Sequence, residues 1–201
     1  MSQMALPLGW PADERQEDFI VGESNGRAVR HLEHWGTWPV MATVLTGPRK
    51  SGRSLLGRLF AARSGGRLFD DADQRPEDEL FHAWNAAQEA RKPLLVVADE
   101  APPAWKARLP DLRTRLAATP VIGLSDPDDA VAAGLFEKLL IQRNLQVPPG
   151  LIPYVMPRIE RTHVAILQAV DALDEAALAK RVRLSVKLAR DMFGLKQEKL
   201  F

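Results

Sequence analysis

The chain alternates between short, continuous apolar runs and longer segments in which apolar residues recur every three or four positions. The short runs are rich in β-branched residues and are typical of buried strands, whereas the longer segments predict amphipathic helices. Strands are predicted at residues 39–47, 66–71, 92–100 and 118–126. Helices are predicted at residues 25–35 (with Asn25 as N-cap), 54–63, 77–91 and 129–144. This alternation predicts an α/β fold whose parallel sheet carries helices on both faces.

The pattern changes after the segment "VPPG" at residues 147–150. Beyond it no run has strand character, and three segments carry apolar residues at helical spacing, which predicts a small helical bundle. At the other end, the first residues are polar and contain proline, apart from the apolar pair Leu6 and Leu8. We therefore divide the chain into an extended tail at 1–16, a core domain at 17–147 and a helical domain at 148–201.

The segment "TGPRKSGRS" at residues 46–54 has the spacing of a phosphate-binding loop: a glycine, four residues, a second glycine, a basic residue and a serine. It lies between a predicted strand and a predicted helix, so its backbone N–H groups and the helix N-terminus would face an anion. Arg53 stands where such loops normally carry lysine. Its planar fork retains the charge without the compact shape, so we expect nucleotide binding with impaired hydrolysis. The residues expected to contact the nucleotide are Gly47, Lys50, Ser51, Gly52, Arg53, Ser54 and Leu55.

Two acidic residues, Asp99 and Glu100, follow the apolar run "LLVVA" of the third predicted strand. The carboxyl end of a central strand is where phosphate-loop enzymes hold magnesium and orient water. Ser54 and Asp99 are therefore predicted to bind Mg²⁺, and Glu100 to orient the attacking water. Capping of the following loop is the alternative for the two acids. Asp126, at the end of the next predicted strand, is expected to sense the outer phosphate or else to cap a helix.

Composition and charge narrow the range of functions. The chain has 201 residues, a net charge of +1 and no cysteine. So small a net charge gives no electrostatic argument for nucleic-acid binding, and the absence of cysteine excludes disulfides and thiolate metal sites. No apolar run approaches the roughly 20 residues of a membrane span, and the first residues lack the pattern of a signal peptide. We therefore expect a cytoplasmic protein with no membrane partner.

The phosphate loop, the paired acids and the helical end, in this order, resemble the ATPase domain of the AAA+ family. The segment "FIVGESNGRA" at residues 19–28 is similar to the adenine-covering segment of the replication initiator DnaA and its relatives. The resemblance implies an AAA+ P-loop domain with a five-stranded parallel sheet flanked by helices, followed by a small C-terminal α-helical lid. It also implies that Ile20, Val21 and Asn25 line the base pocket, and that the ligand is ADP or ATP with Mg²⁺.

Two features resemble the Hda family, whose members are DnaA-related regulators of replication initiation. One is the phosphate loop "SGRS", which has arginine in Hda proteins. The other is the tail "QMALPL" at residues 3–8, which is similar to the peptide by which Hda binds the DNA polymerase sliding clamp. The resemblance implies that Gln3, Met4, Leu6 and Leu8 bind the clamp, while a packed N-terminal arm is the alternative. The final residues, "QEKLF", match a looser clamp-binding pattern.

The Hda resemblance implies a regulatory function with weak ATP hydrolysis by the protein itself. Hda proteins on the clamp stimulate hydrolysis of the ATP bound to DnaA and so prevent over-initiation of chromosome replication. Matching "QRNLQVPPG" to an Hda segment gives Arg143 as the arginine finger for the partner's ATP; a surface arginine at a helix end is the alternative. Arg158 is matched to the position that contacts the protein's own nucleotide. The resemblance also implies assembly with further copies and no direct sequence-specific DNA binding, since no helix-turn-helix domain follows the predicted lid.

Three other functions are compatible with the same residues. An independent P-loop ATPase would use Asp99 and Glu100 for its own turnover. A helicase-loader-like module would bind helicase in place of the clamp, and the clamp-like tail argues against it. A scaffold with a decayed site would bind no nucleotide. Nucleotide binding, ATP turnover without a partner and clamp binding distinguish these functions.

Overall fold

The computed structural model describes residues 19–194. The chain divides into two compact units, Met1–Ser125 and Asp126–Phe201. The predicted clamp-binding tail and the C-terminal "QEKLF" lie outside the described residues. Within residues 19–194, none of the helices combines the length and the apolar character that crossing a bilayer requires.

The first unit alternates strands and helices, as the periodicity predicts. Its strands are β1 (Ala42–Thr46), β2 (Arg67–Phe69), β3 (Leu94–Val97) and β4 (Val121–Gly123). Its helices are α1 (Glu23–Glu33), α2 (Arg53–Ser64), α3 (Glu77–Ala90) and α4 (Pro110–Ala118), with 3₁₀ turns at Trp35–Thr37 and Ala72–Gln74. Each predicted strand is present and is shorter than its predicted range, which also includes residues of the adjoining loops.

Helix α4 is the element that the periodicity does not predict. It begins with Pro110 at its first position, which is a common helix start, and it buries only Leu112 and Leu116. The residue just before it is held from α3, since the Glu77 carboxylate accepts the backbone N–H of Leu109 at 2.6 Å. Contacts with other elements therefore stabilise this helix, because its own apolar pattern is only one turn long.

The four strands form one parallel sheet in the order β2–β3–β1–β4. In this ladder Val44 of β1 lies between Val96 of β3 and Val121 of β4. The expectation of five strands is wrong: the sheet has four within the described residues. The physical reason is that all regular structure after β4, through residue 193, is helical, so no apolar run remains to extend the sheet.

Side chains of the central strands alternate between two apolar cores, one on each face of the sheet. Val44 and Val96 belong to the core formed with α3 and α4, whereas Leu45 and Val97 belong to the core formed with α1 and α2. Every residue of β3 is at most 1% exposed. Burial on both faces explains why this strand appears in the sequence as a continuous apolar run.

Asn25 lies inside α1, and the prediction that it is the N-cap is wrong. The helix begins at Glu23 with Gly22 as its N-cap. Asn25 is buried at the third helical position, where its Oδ1 accepts the Gly22 N–H at 2.9 Å and its Nδ2 donates to the Ile20 carbonyl at 2.8 Å. The side chain reaches backwards, as in a capping box, and so holds the preceding segment against the helix.

The second unit is helical throughout its described part. Its helices are α5 (Asp129–Gln142), α6 (Leu151–Val155), α7 (His163–Lys180) and α8 (Val186–Phe193), with a 3₁₀ turn at Met156–Arg158. Phe136 and Leu140 of α5 are buried in one core with Ile166 and Leu173 of α7. Helix α5 therefore packs in this unit although it precedes residue 147, where the sequence predicts the domain boundary. The division into tail, core and lid stays a prediction.

Candidate functional site

The loop between β1 and α2 turns sharply at its two glycines. Gly47 has a φ of +156° and Gly52 a φ of +86°, a region that residues with side chains avoid. A Cβ atom on Gly47 would lie 2.9 Å from Leu124 Cβ, so the loop also packs too closely there for a larger residue. Lys50, between them, is exposed and has a φ of 64°. Left-handed turns directly ahead of a helix N-terminus are the backbone arrangement that phosphate-binding loops use.

Ser51 contributes a buried hydroxyl to this loop. The residue is 7% exposed, and its Oγ atom has no hydrogen-bond partner within residues 19–194. Such an atom is uncommon, because buried hydroxyls are normally hydrogen-bonded. Helix α2 begins two residues later, at Arg53, and its first-turn amides lack intrahelical acceptors. An unpaired hydroxyl beside a helix N-terminus is suited to binding an anion.

The Arg53 guanidinium extends to the end of β3. Its Nη1 donates to the Ala98 carbonyl and its Nη2 to the Asp99 carboxylate, each at 2.5 Å. The side chain of Arg53 is 13% exposed and that of Asp99 62%, so the cation is the more buried partner. The sequence predicts separate roles, phosphate binding for Arg53 and metal binding for Asp99. The structure joins the two residues in one ion pair.

Two further carboxylates lie at the same edge of the sheet. The Ser54 hydroxyl donates to Asp70 Oδ1 at 3.2 Å, and the Asp99 N–H donates to Asp73 Oδ1 at 3.4 Å. Sequence reasoning misses Asp70 and Asp73. The available signal is that Asp70 directly follows β2, since the carboxyl ends of parallel strands meet at one edge. Glu100, the predicted water-orienting base, is exposed next to this group.

The two residues predicted to bind magnesium each contact another side chain. At phosphate sites Mg²⁺ is bound by one or two protein oxygens together with substrate phosphates and waters. The Asp99 carboxylate is paired with Arg53, and the Ser54 hydroxyl is bonded to Asp70. In the part of the chain that the structure describes, no group of three histidine, cysteine or carboxylate side chains could hold a metal ion. The cation beside Asp99 in this structure is therefore the Arg53 side chain.

The segment before α1, predicted to cover the base, lies beside the phosphate loop. A Cβ atom on Gly52 would be 3.1 Å from the Phe19 ring, so this ring packs on the loop. Ile20 is half-buried and Val21 is 41% exposed, which leaves both able to contact a ligand. Asn25 uses its amide within the segment, as described above, and so positions it. Phe19, like Asp70 and Asp73, is a residue of the site that sequence reasoning does not single out.

Asp126 lies in the second unit, as its first residue, and is exposed. It interacts electrostatically with His163, the first residue of α7. Burial lowers the pKa of the His163 imidazole, and the Asp126 carboxylate partly opposes this shift. His163 Nδ1 has no hydrogen-bond partner within residues 19–194. The predicted phosphate-sensing role of Asp126 stays a prediction.

The two arginines predicted from the family resemblance also lie in the second unit, and both have partners there. The Arg143 guanidinium forms an ion pair with Asp171, and its Nε lies 3.8 Å from Asp174 Oδ2. Arg158 donates from Nη1 to the Tyr154 carbonyl at 2.7 Å and stacks over the Tyr154 ring at 3.8 Å. Each side chain is therefore held in one orientation by its own unit.

A curated relative is similar in sequence to part of the chain. No protein-family model matches the chain. An uncharacterised protein of Haemophilus influenzae is 26% identical over 117 residues, which are 58% of this chain and 51% of that protein. The chain therefore matches about half the length of this curated relative, and the similarity brings no activity with it.

Solved structures are similar over most of the chain. Domain III of the replication initiation protein DnaA from Thermotoga maritima matches with a TM-score of 0.68 at 15% identity, covering 88% of this chain and 93% of that one. The fold is that of DnaA domain III. DnaA from Aquifex aeolicus, in a structure bound to AMPPCP, matches with a TM-score of 0.58 at 16% identity, over 90% of this chain and 67% of that one. The prediction of a DnaA-like AAA+ fold is confirmed.

Proposed function

We propose that the protein is a DnaA-related AAA+ regulator of the Hda type, which binds ADP or ATP at the loop of residues 46–54 and acts on the initiator DnaA at the sliding clamp. One observation carries the nucleotide-binding part: the buried, unpaired hydroxyl of Ser51 lies at the N-terminus of α2 in a DnaA-like fold. The similar DnaA of Aquifex aeolicus is bound to AMPPCP, which supports a nucleotide as the ligand.

The contacts of Arg53 favour binding over turnover. Hydrolysis needs a cation at the outer phosphate and a base that orients water. Ala98 and Asp99 accept two of the five N–H donors of Arg53, so the guanidinium cannot close fully on an outer phosphate, and Glu100 is exposed to solvent. The nucleotide then serves as a ligand of the fold, and catalysis takes place at the partner's ATP. Appreciable ATP turnover by the purified protein alone would favour the independent ATPase instead.

Arg143 is our candidate for the group supplied to the partner. An arginine finger neutralises charge that develops on the transferred phosphoryl and contributes ~10³-fold or more to the rate. In this chain Asp171 and Asp174 surround the Arg143 guanidinium. Arg143 would act by exchanging the Asp171 carboxylate for the partner's phosphate. The two aspartates and the Leu139 carbonyl, which accepts from Arg143 Nη1 at 3.3 Å, hold the side chain in place until that exchange.

The test is hydrolysis of ATP bound to purified DnaA, measured with clamp loaded on DNA and with this protein added. We expect stimulation by the unchanged chain and none by Arg143→Ala, which should still bind ADP and clamp. The matched control is Asp171→Asn, which keeps the arginine and should keep the stimulation. Normal stimulation by Arg143→Ala would exclude this residue as the finger.

Clamp binding is tested separately, because the residues proposed for it lie outside the described part of the chain. The double variant Gln3→Ala with Leu6→Ala should lose clamp binding in a pull-down and should lose stimulation while retaining ADP binding. Deletion of residues 1–10 should have the same effect. If clamp binding survives both changes, the clamp contact would be assigned to Leu200 and Phe201 instead.

A further inference from the structure

Asp99, the residue predicted to hold a metal, already has a cation beside it. The Arg53 guanidinium lies 2.5 Å from the Asp99 carboxylate and is anchored from a second direction by the Ala98 carbonyl. Unlike a bound metal, this cation is part of the chain. A divalent ion placed on the same carboxylate would share it with the guanidinium and be repelled by that charge.

Arg53 also retains hydrogen-bonding capacity for a ligand. A guanidinium has five N–H donors, and Ala98 and Asp99 accept two of them. The other three donors remain for a ligand, and the Arg53 side chain originates at the N-terminus of α2, where an anion would bind. The same side chain can therefore neutralise Asp99 and donate to a phosphate oxygen.

We infer that the site binds its nucleoside diphosphate without magnesium, with Arg53 in the electrostatic role that Mg²⁺ has at other phosphate-loop sites. The inference rests on the proposed nucleotide binding and specifies its ionic form: the ligand is the free nucleotide anion. It is argued from the ion pair in which Arg53 already supplies a positive charge to Asp99, the carboxylate predicted to bind the metal.

Calorimetric titration of the full chain with ADP, once in excess Mg²⁺ and once in EDTA, tests this. The two dissociation constants should agree within about threefold. Arg53→Lys should bind ADP about tenfold more weakly in EDTA and should regain affinity in Mg²⁺. Lysine has no fork with which to hold the Ala98 carbonyl and Asp99 together, so it releases the carboxylate to the metal. Arg58→Lys makes the same change at an exposed position of α2 and should behave like the unchanged chain.

The outcomes separate the inference from the proposed function. If Mg²⁺ strengthens ADP binding by the unchanged chain more than about tenfold, the inference is overturned while nucleotide binding stands. If ADP binds in neither condition, the proposed function fails and the inference fails with it. If Arg53→Lys stays independent of Mg²⁺, the role assigned to Arg53 is wrong. Should this variant fold poorly in a thermal melt, the comparison on the unchanged chain still decides.

Discussion

Replacing Ser51 with alanine should stabilise the ligand-free protein and weaken its binding of nucleotide. The Ser51 hydroxyl is buried and has no hydrogen-bond partner within residues 19–194. A buried, unsatisfied polar group costs about 1–3 kcal/mol, and the alanine variant avoids this cost without leaving a large cavity. For a chain of this size, a gain of about 1 kcal/mol raises the melting temperature by about 2–4 °C.

Nucleotide affinity should change in the opposite direction. A hydrogen bond from Ser51 to a phosphate oxygen is charge-assisted. If its loss removes about 1.4 kcal/mol of binding free energy, nucleotide binding weakens about tenfold. The assays are thermal unfolding without ligand and ADP titration. Functional sites often gain ligand binding at the expense of stability. The Ser51 hydroxyl would show this trade-off, because it lowers the stability of the ligand-free protein and raises its affinity for nucleotide.

Ser54→Ala is the matched control, because it removes the same atom three residues later in the chain. The Ser54 hydroxyl donates to Asp70 at 3.2 Å. Its loss should lower stability by about 1 kcal/mol, so the two serine variants should shift the melting temperature in opposite directions. Ser51→Ala that lowers the melting temperature and leaves ADP affinity unchanged would refute the reasoning, since the hydroxyl would then serve the fold alone.

Three further predictions concern the rest of the molecule. Gly47→Ala should destabilise the protein by about 1–3 kcal/mol in a thermal melt and abolish ADP binding, whereas Gly65→Ala, with φ +64° and nothing within 4 Å of the added Cβ, should show the backbone strain alone. Because burial lowers the pKa of His163, folding favours the neutral ring, and stability should fall as the pH drops through about 6.5. His163→Gln should flatten this pH dependence; an unchanged profile would contradict it. Phe136→Ala should cost about 3–5 kcal/mol in urea unfolding, while Leu178→Ala, at a position 71% exposed, should be nearly neutral.

Hydrophobic periodicity predicts most of the secondary structure, because the buried apolar residues of each segment recur at the period of its helix or strand. The run "LLVV" of β3 is apolar throughout because both faces of the strand are covered. Helix α4 is not predicted, because it has too few buried apolar residues to show a period. Leu112 and Leu116 give a single helical repeat among charged residues, and the Glu77 carboxylate at its start comes from 32 residues earlier.

The site is predictable in its backbone and not in its side-chain partners. Glycine spacing between a strand and a helix is a local property, and the positive φ angles at Gly47 and Gly52 agree with it. The pairing of Arg53 with Asp99 joins residues 46 positions apart, and no local pattern encodes it. Arg143 illustrates the same limit, since its partner Asp171 lies 28 residues away on another helix.

Within residues 19–194 the sheet has four strands and two edges, and both edge strands are short. β2 and β4 are each three residues long, whereas the central strands have five and four. An edge strand exposes unpaired amide and carbonyl groups that can recruit a strand from another molecule, and shortening it is one way proteins reduce this risk. Edges of three residues therefore leave little template for intermolecular β-pairing. We expect this sheet to resist edge-to-edge aggregation.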